Sequence, residues 1–171
     1  MLRIDRVVIG FLAIALAVPA SSYAKNAKAG RDSARSAPSE RTKRAADDEV
    51  RRGEVWLAVS DWSRAAASFR RATEIDPSEW RSRVRLGFAL VREGKVDAGL
   101  GEIDAVIRGA PGALEAYLTR GDLLLELRRG DAAEKAYEEA VRREPKNARA
   151  IFGVGEAARA AAGKFEGKAA L

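Results

Sequence analysis

Few residues in this chain have the type and spacing for chemistry. It holds no His and no Cys. A Ser-His-Asp or Cys-His nucleophilic site therefore cannot be built, and the commonest proton shuttle near neutral pH is missing. A metal such as zinc has only carboxylates to bind, a poor structural set. Disulfides are impossible, so cysteine usage says nothing about redox compartment. Two stretches remain to be weighed. "GVGEAA", residues 153–158, fits a loose Gly-x-Gly-x-x-Ala nucleotide fingerprint, but that motif works only after a strand in a βαβ unit, and no strand pattern precedes it. The acids of "EKAYEEA", residues 134–140, and Asp47, Asp48 and Glu49 could be read as paired catalytic carboxylates. They read more simply as solvated helix faces with i,i+4 partners. No catalytic residue, cofactor site or metal site is expected.

The elements that carry these residues follow a fixed period. Pro77, Pro111 and Pro145 are 34 apart, and so are Gly53, Gly87, Gly121 and Gly155. When each Pro is counted as the thirty-second residue of a unit, the units run 46–79, 80–113 and 114–147, with a partial unit at 148–171. Small residues then share the twentieth position (Ala65, Gly99, Ala133), and bulky ones the twenty-fourth (Phe69, Ile103, Tyr137). The twenty-seventh holds Ala72, Val106 and Ala140.

The spacing predicts a helix, a tight turn and a second helix in each unit. Small residues at positions eight and twenty let the two backbones approach, and position twenty-four fills the gap beside them. "SDWS" at 60–63, "EGKVD" at 93–97 and "RRGD" at 128–131 supply stop and start signals. Asp61, Asp97 and Asp131 suit the positive end of the second helix. Each Pro lies just past that helix, which it cannot extend. Within the last unit, residues 148–162 read as a first helix, Gly163-Lys164-Phe165 as a turn, and residues 165–171 as a frayed stub of a second.

This pattern resembles the tetratricopeptide repeat family, in the Gly, the small–bulky–small set and the closing Pro at a 34-residue period. The resemblance implies an all-α fold, a right-handed α-solenoid of antiparallel helix pairs, over residues 46–171. The family's fourth and seventh positions are less well kept, with Glu49, Arg83, Tyr117 and Ile151 at the fourth. Its working surface is the inner, concave face, lined by the first helix of each unit. That implies partner-binding positions here at Val84, Phe88 and Leu118, with Glu54, Arg81, Arg92, Asp122, Glu126, Arg149 and Glu156 as charges beside them. The partner would be an extended or helical segment of another protein. Two competing readings stand: the apolar ladder packs neighbouring units, and the alternating charges pair between units. Members that clamp an acidic chaperone tail use Lys, Asn and Arg at positions where this chain has Val50, Glu54, Arg85, Glu115 and Thr119. That clamp is absent.

The leading segment has the form of a secretory signal. Arg3 and Arg6 precede an apolar run of twelve, Val7 to Val18, and Pro19 breaks it before Ser22-Tyr23-Ala24. Twelve apolar residues fall short of the roughly 20 that a spanning helix needs. The expectation is export to a bacterial periplasm or beyond, with cleavage after Ala24. Residues 25–45 hold seven basic side chains against Asp32 and Glu40, a net +5 of the chain's +6. Residues 46–171 hold 22 basic and 22 acidic side chains and are neutral. The stretch 25–45 has little apolar bulk and reads as a disordered basic linker. It could touch an anionic lipid or cell-wall surface. Nucleic acid is not expected as a partner, because no aromatic in the stretch could stack on bases.

Overall fold

The computed structural model describes residues 38–169, with side chains as far as Gly163. The expected leader, 1–24, and residues 25–37 of the expected linker lie outside them. Among the described residues there are seven helices and no strand: α1 Glu40–Ala58, α2 Trp62–Ile75, α3 Trp80–Arg92, α4 Val96–Gly109, α5 Leu114–Glu126, α6 Gly130–Arg143 and α7 Ala148–Ala169. None is long and apolar enough to cross a membrane. Helices α1, α3, α5 and α7 are the first helices of successive units, and α2, α4 and α6 are the second. Each packs on its neighbours in sequence, α1 on α2 through to α6 on α7, with α5 also touching α3 and α7. This is an all-α solenoid of stacked helix pairs.

The same turn closes each first helix. Ser60, Gly94 and Arg128, all at position fifteen, take the left-handed conformation with φ of 58°, 94° and 57°. The next N–H then reaches back five residues: Asp61 to Trp56 O at 2.9 Å, Lys95 to Leu90 O at 2.8 Å, Arg129 to Leu124 O at 2.8 Å. That Schellman geometry satisfies carbonyls the helix end would leave bare. The second helices also end alike. The N–H of Asp76, Ala110 and Glu144 donates to the carbonyl four residues back, and Pro follows at once. Asp61 caps α2 by accepting from Arg64 N at 3.0 Å. Asp97 and Asp131 lie in first turns without a capping hydrogen bond.

The core lies between the paired helices. Ala65, Phe69 and Ala72, Ile103 and Val106, and Ala133, Tyr137 and Ala140 are all at most 3% exposed. Burying each large apolar side chain stabilises by about 1.5–3 kcal/mol. The glycines make the approach possible. A Cβ on Gly87 would stand 2.7 Å from Gly99 O, and one on Gly121 the same distance from the Tyr137 ring. A Cβ on Gly53 would stand 2.5 Å from the Phe69 ring.

Two expectations are corrected. The first helix starts at Glu40, so residues 40–45 are helical and not part of a disordered linker. Ser39 Oγ accepts from Thr42 N at 3.2 Å, and Ala46 is buried in the same helix. A cap and a buried small residue outweigh the charged composition. Nor does the chain turn at Gly163-Lys164-Phe165, because α7 runs on to Ala169. Position fifteen of this unit is Ala162, at the end of a run of alanines, the best helix formers.

Candidate functional site

The first helices share one face, and their positions two, five, six and nine meet there in a pocket of about 180 Å³. Val84, Arg85 and Phe88 of α3 form one side, Glu115, Thr119 and Asp122 of α5 the other, and Arg149 of α7 one end. These are residues of three successive units. Among the residues expected from the sequence, Val84, Phe88, Asp122 and Arg149 are brought together here.

Val84 and Leu118 prove to be core residues, 2% and 6% exposed within one apolar cluster. At position five each is covered by packing against neighbouring units, so neither offers much surface to a guest. Phe88, half-buried, presents the apolar surface. It is braced by the Trp62 ring, edge-on at 6.4 Å between centroids. The Arg92 guanidinium lies over the other aromatic, 5.0 Å from the Trp62 centroid.

The charges pair across units. Arg85 Nε meets Glu54 Oε1 at 2.7 Å, and Arg92 Nη1 donates to Glu126 Oε2 at 2.7 Å. Arg81 Nε stands 3.9 Å from Glu115 Oε2. Arg149 pairs with the Asp122 carboxylate, and Glu156 pairs with Arg159 on its own helix. Exposed pairs of this kind are worth about 1 kcal/mol or less each. Their effect here is to present a partner with a rim whose charges are already matched.

The best-held of these groups is Asp122. Its Oδ1 accepts from Tyr137 Oη at 2.5 Å while its other oxygen faces Arg149. The Tyr137 ring is wedged against Gly121 and Gly153, where added Cβ atoms would meet it at 2.7 Å and 2.5 Å. Burial first, and then the bond to Asp122, pushes the Tyr137 hydroxyl above its ordinary range, so it stays a donor. Helix α6 thus fixes from behind a carboxylate that faces the pocket.

The spacing alone did not mark Arg85 and Thr119 as pocket residues, nor Trp62 as the brace behind Phe88, whereas Glu115 falls at a second position expected to line the groove. The pairing of charges had a legible signal. Arg92 and Glu126 stand 34 residues apart, as do Arg81 and Glu115. Opposite charges at one repeat position in consecutive units are set side by side by the stacking.

Stacked helix pairs with a pocket on the shared face of their first helices define a repeat scaffold. The chain belongs to the tetratricopeptide repeat family, whose model matches residues 50–113 and 118–171. It is 29% identical over 82 residues to the tetratricopeptide repeat and J domain-containing co-chaperone DNJ1 of Cryptococcus neoformans, a match over 48% of this chain and 15% of that protein. The chain thus corresponds to a small part of that relative. Among solved structures, the first TPR domain of human RPAP3 superposes with a TM-score of 0.65 at 19% identity, over 72% of this chain and 98% of that one. The TPR2B domain of yeast Sti1, solved in complex with pHsp70, gives 0.60 at 16% identity, over 67% and 97%. At these identities the structures establish the fold.

Proposed function

We propose that this chain is an exported, non-catalytic adaptor that docks a segment of a partner protein on the shared face of its first helices, in assembly or maintenance of a bacterial envelope. The observation that carries the docking surface is the pocket itself, where side chains of three units converge around the accessible ring of Phe88. The Sti1 domain, solved in a complex with pHsp70, supports a partner segment as the guest. The absence of His and Cys supports a role without catalysis. Support for export comes from the charged start, apolar run and Ser22-Tyr23-Ala24 exit of the leader.

The guest differs from an acidic chaperone tail. Glu54 and Glu115 stand where such clamps carry amide or basic groups, and Arg85 is already paired with Glu54. The surface suits a bulky apolar side chain on Phe88 flanked by groups of both signs. Phe88→Ala is expected to weaken partner binding about 30-fold, the loss of one central anchor worth about 2 kcal/mol. A pull-down from envelope extract with the wild-type and Phe88→Ala chains side by side measures it. Equal capture by both would contradict the groove.

A second reading rests on the charge of residues 25–45, which carry a net +5 beside the neutral residues 46–171. There the basic stretch tethers the domain to anionic lipid or cell-wall polymer. A deletion of residues 25–37, which spares α1, separates the two readings. Binding that is lost with this deletion and weakens steeply with salt belongs to the stretch. The export reading expects the chain recovered from the envelope to begin at Lys25. An intact leader would contradict cleavage after Ala24.

A further inference from the structure

Helix α7 carries two stripes on opposite sides. One stripe, Ala150, Gly153, Ala157 and Ala161, packs on α6, and its alanines are at most 8% exposed. The other holds Ile151, Phe152 and Gly155. Ile151 is 52% exposed and Phe152 67%. Gly155 sits at position eight, where Gly53, Gly87 and Gly121 each press on a bulky side chain of a second helix. Around a Cβ built on Gly155 there is nothing within 4 Å. The site of close approach is formed a fourth time and has no occupant among the described residues, because α7 runs straight on where the earlier first helices reverse.

We propose that this bare face of α7 is an isologous dimer interface, covered by α7 of a second copy of the chain running antiparallel with the two-fold axis at Gly155. The size pattern about Gly155 selects the occupant. Antiparallel pairing sets residues equally far before and after Gly155 opposite one another. Phe152 then meets the second copy's Ala158, Ile151 lies along the stem of its Arg159, and Ala148 meets its Ala162. Bulk faces a small or slender side chain at the levels of Phe152 and Ile151, and small faces small at Ala148, as an interface of one patch with itself requires. The two Gly155 residues cross where backbones must come closest, as Gly87 and Gly99 do inside the chain. Charge permits it as well: Arg159 is paired with Glu156 on its own helix, so the face is neutral. The antiparallel dipoles are favourable.

One helix pair is a small contact beside the roughly 1,200–2,000 Å² of stable interfaces, so the dimer forms at about micromolar concentrations and above. Sedimentation velocity of the full-length chain over a concentration series tests it. The wild type is expected to pass from monomer to twice that mass. Gly155→Leu fills the crossing point, and Phe152→Glu places a charge against the second copy's Ala158; each is expected to raise the dimer dissociation constant at least about tenfold. A Cβ at position 155 meets nothing within 4 Å among the described residues, and Leu is a better helix former than Gly, so the circular dichroism and melting temperature of Gly155→Leu should stay at or above wild type. A wild type that remains monomeric throughout overturns the proposal, whatever else then binds the face. So does a dimer unaffected by both variants. The inference is independent of the pocket: Phe88→Ala should leave the monomer–dimer equilibrium unchanged.

Discussion

Gly87→Ala is expected to destabilise the chain by about 2 kcal/mol, and Gly155→Ala to stabilise it by about 1 kcal/mol. The two substitutions are the same change at the same repeat position. On Gly87 the new methyl would stand 2.7 Å from the carbonyl oxygen of Gly99 and 2.6 Å from Ile103. An isoleucine can shift, but the backbone carbonyl belongs to the facing helix and moves only if α3 and α4 separate. Overpacking of this kind costs about 3 kcal/mol, offset by about 1 kcal/mol from the better helix propensity of Ala. On Gly155 there is nothing within 4 Å, so only the propensity gain remains. Urea denaturation of both variants at low protein concentration reads the difference. Shifts of equal sign would show that the helix pairs do not meet as closely as described.

Tyr137→Ala is expected to cost about 4 kcal/mol, the usual scale for removing a buried aromatic ring. Tyr137 is among the largest fully buried side chains, and its ring fills the space between Gly121 of α5 and Gly153 of α7. Without it, three helices lose their common contact and Asp122 loses a donor. Against a typical total of about 5–15 kcal/mol the loss is severe. Tyr137→Phe separates packing from hydrogen bonding. It keeps the ring and removes only the 2.5 Å bond to Asp122, at about 1.5 kcal/mol for a bond to a charged group. Thermal melts of both variants check the order. A Phe variant as unstable as the Ala variant would place the energy in the hydroxyl instead of the ring.

The sequence made the helix pairs legible because their closest contacts recur at a fixed spacing. Positions eight, twenty, twenty-four and twenty-seven are held to small or bulky types by volume, and the Pro at thirty-two by its missing N–H. Those constraints are local and repeat, so one chain shows them several times. The misses have different causes. The start of α1 at Glu40 was hidden because exposed helix residues and linker residues draw on the same charged and small types. Only Ser39 and the Thr three residues on hint at a cap. The run of α7 past position fifteen follows from the alanines at 160–162, whose helix propensity outweighs the single Gly163 after them. Position five faces the groove in the repeat pattern, yet Val84 and Leu118 are 2% and 6% exposed. How far the following helix covers it depends on stacking, which the spacing does not specify.

The charges illustrate a further limit. Their signs and positions can be read from the sequence, and the alternative that they pair between units was open from the start. Which partner each takes is settled by geometry, with Arg85 reaching back to Glu54 and Arg149 back to Asp122. What is left for a guest is narrower than the full ladder of positions: the ring of Phe88, the hydroxyl of Thr119 and the edges of matched ion pairs.

The central claim is that a partner segment lies against this pocket, and site-specific photo-crosslinking tests it most directly. A photoreactive residue replaces Thr119, inside the pocket, or Arg70, exposed on α2 away from it. Position 119 is expected to crosslink a partner in envelope extract, and Phe88→Ala to abolish that crosslink. Position 70 should give none. Crosslinking that is equal at both positions, or found at 70 alone, would contradict the account.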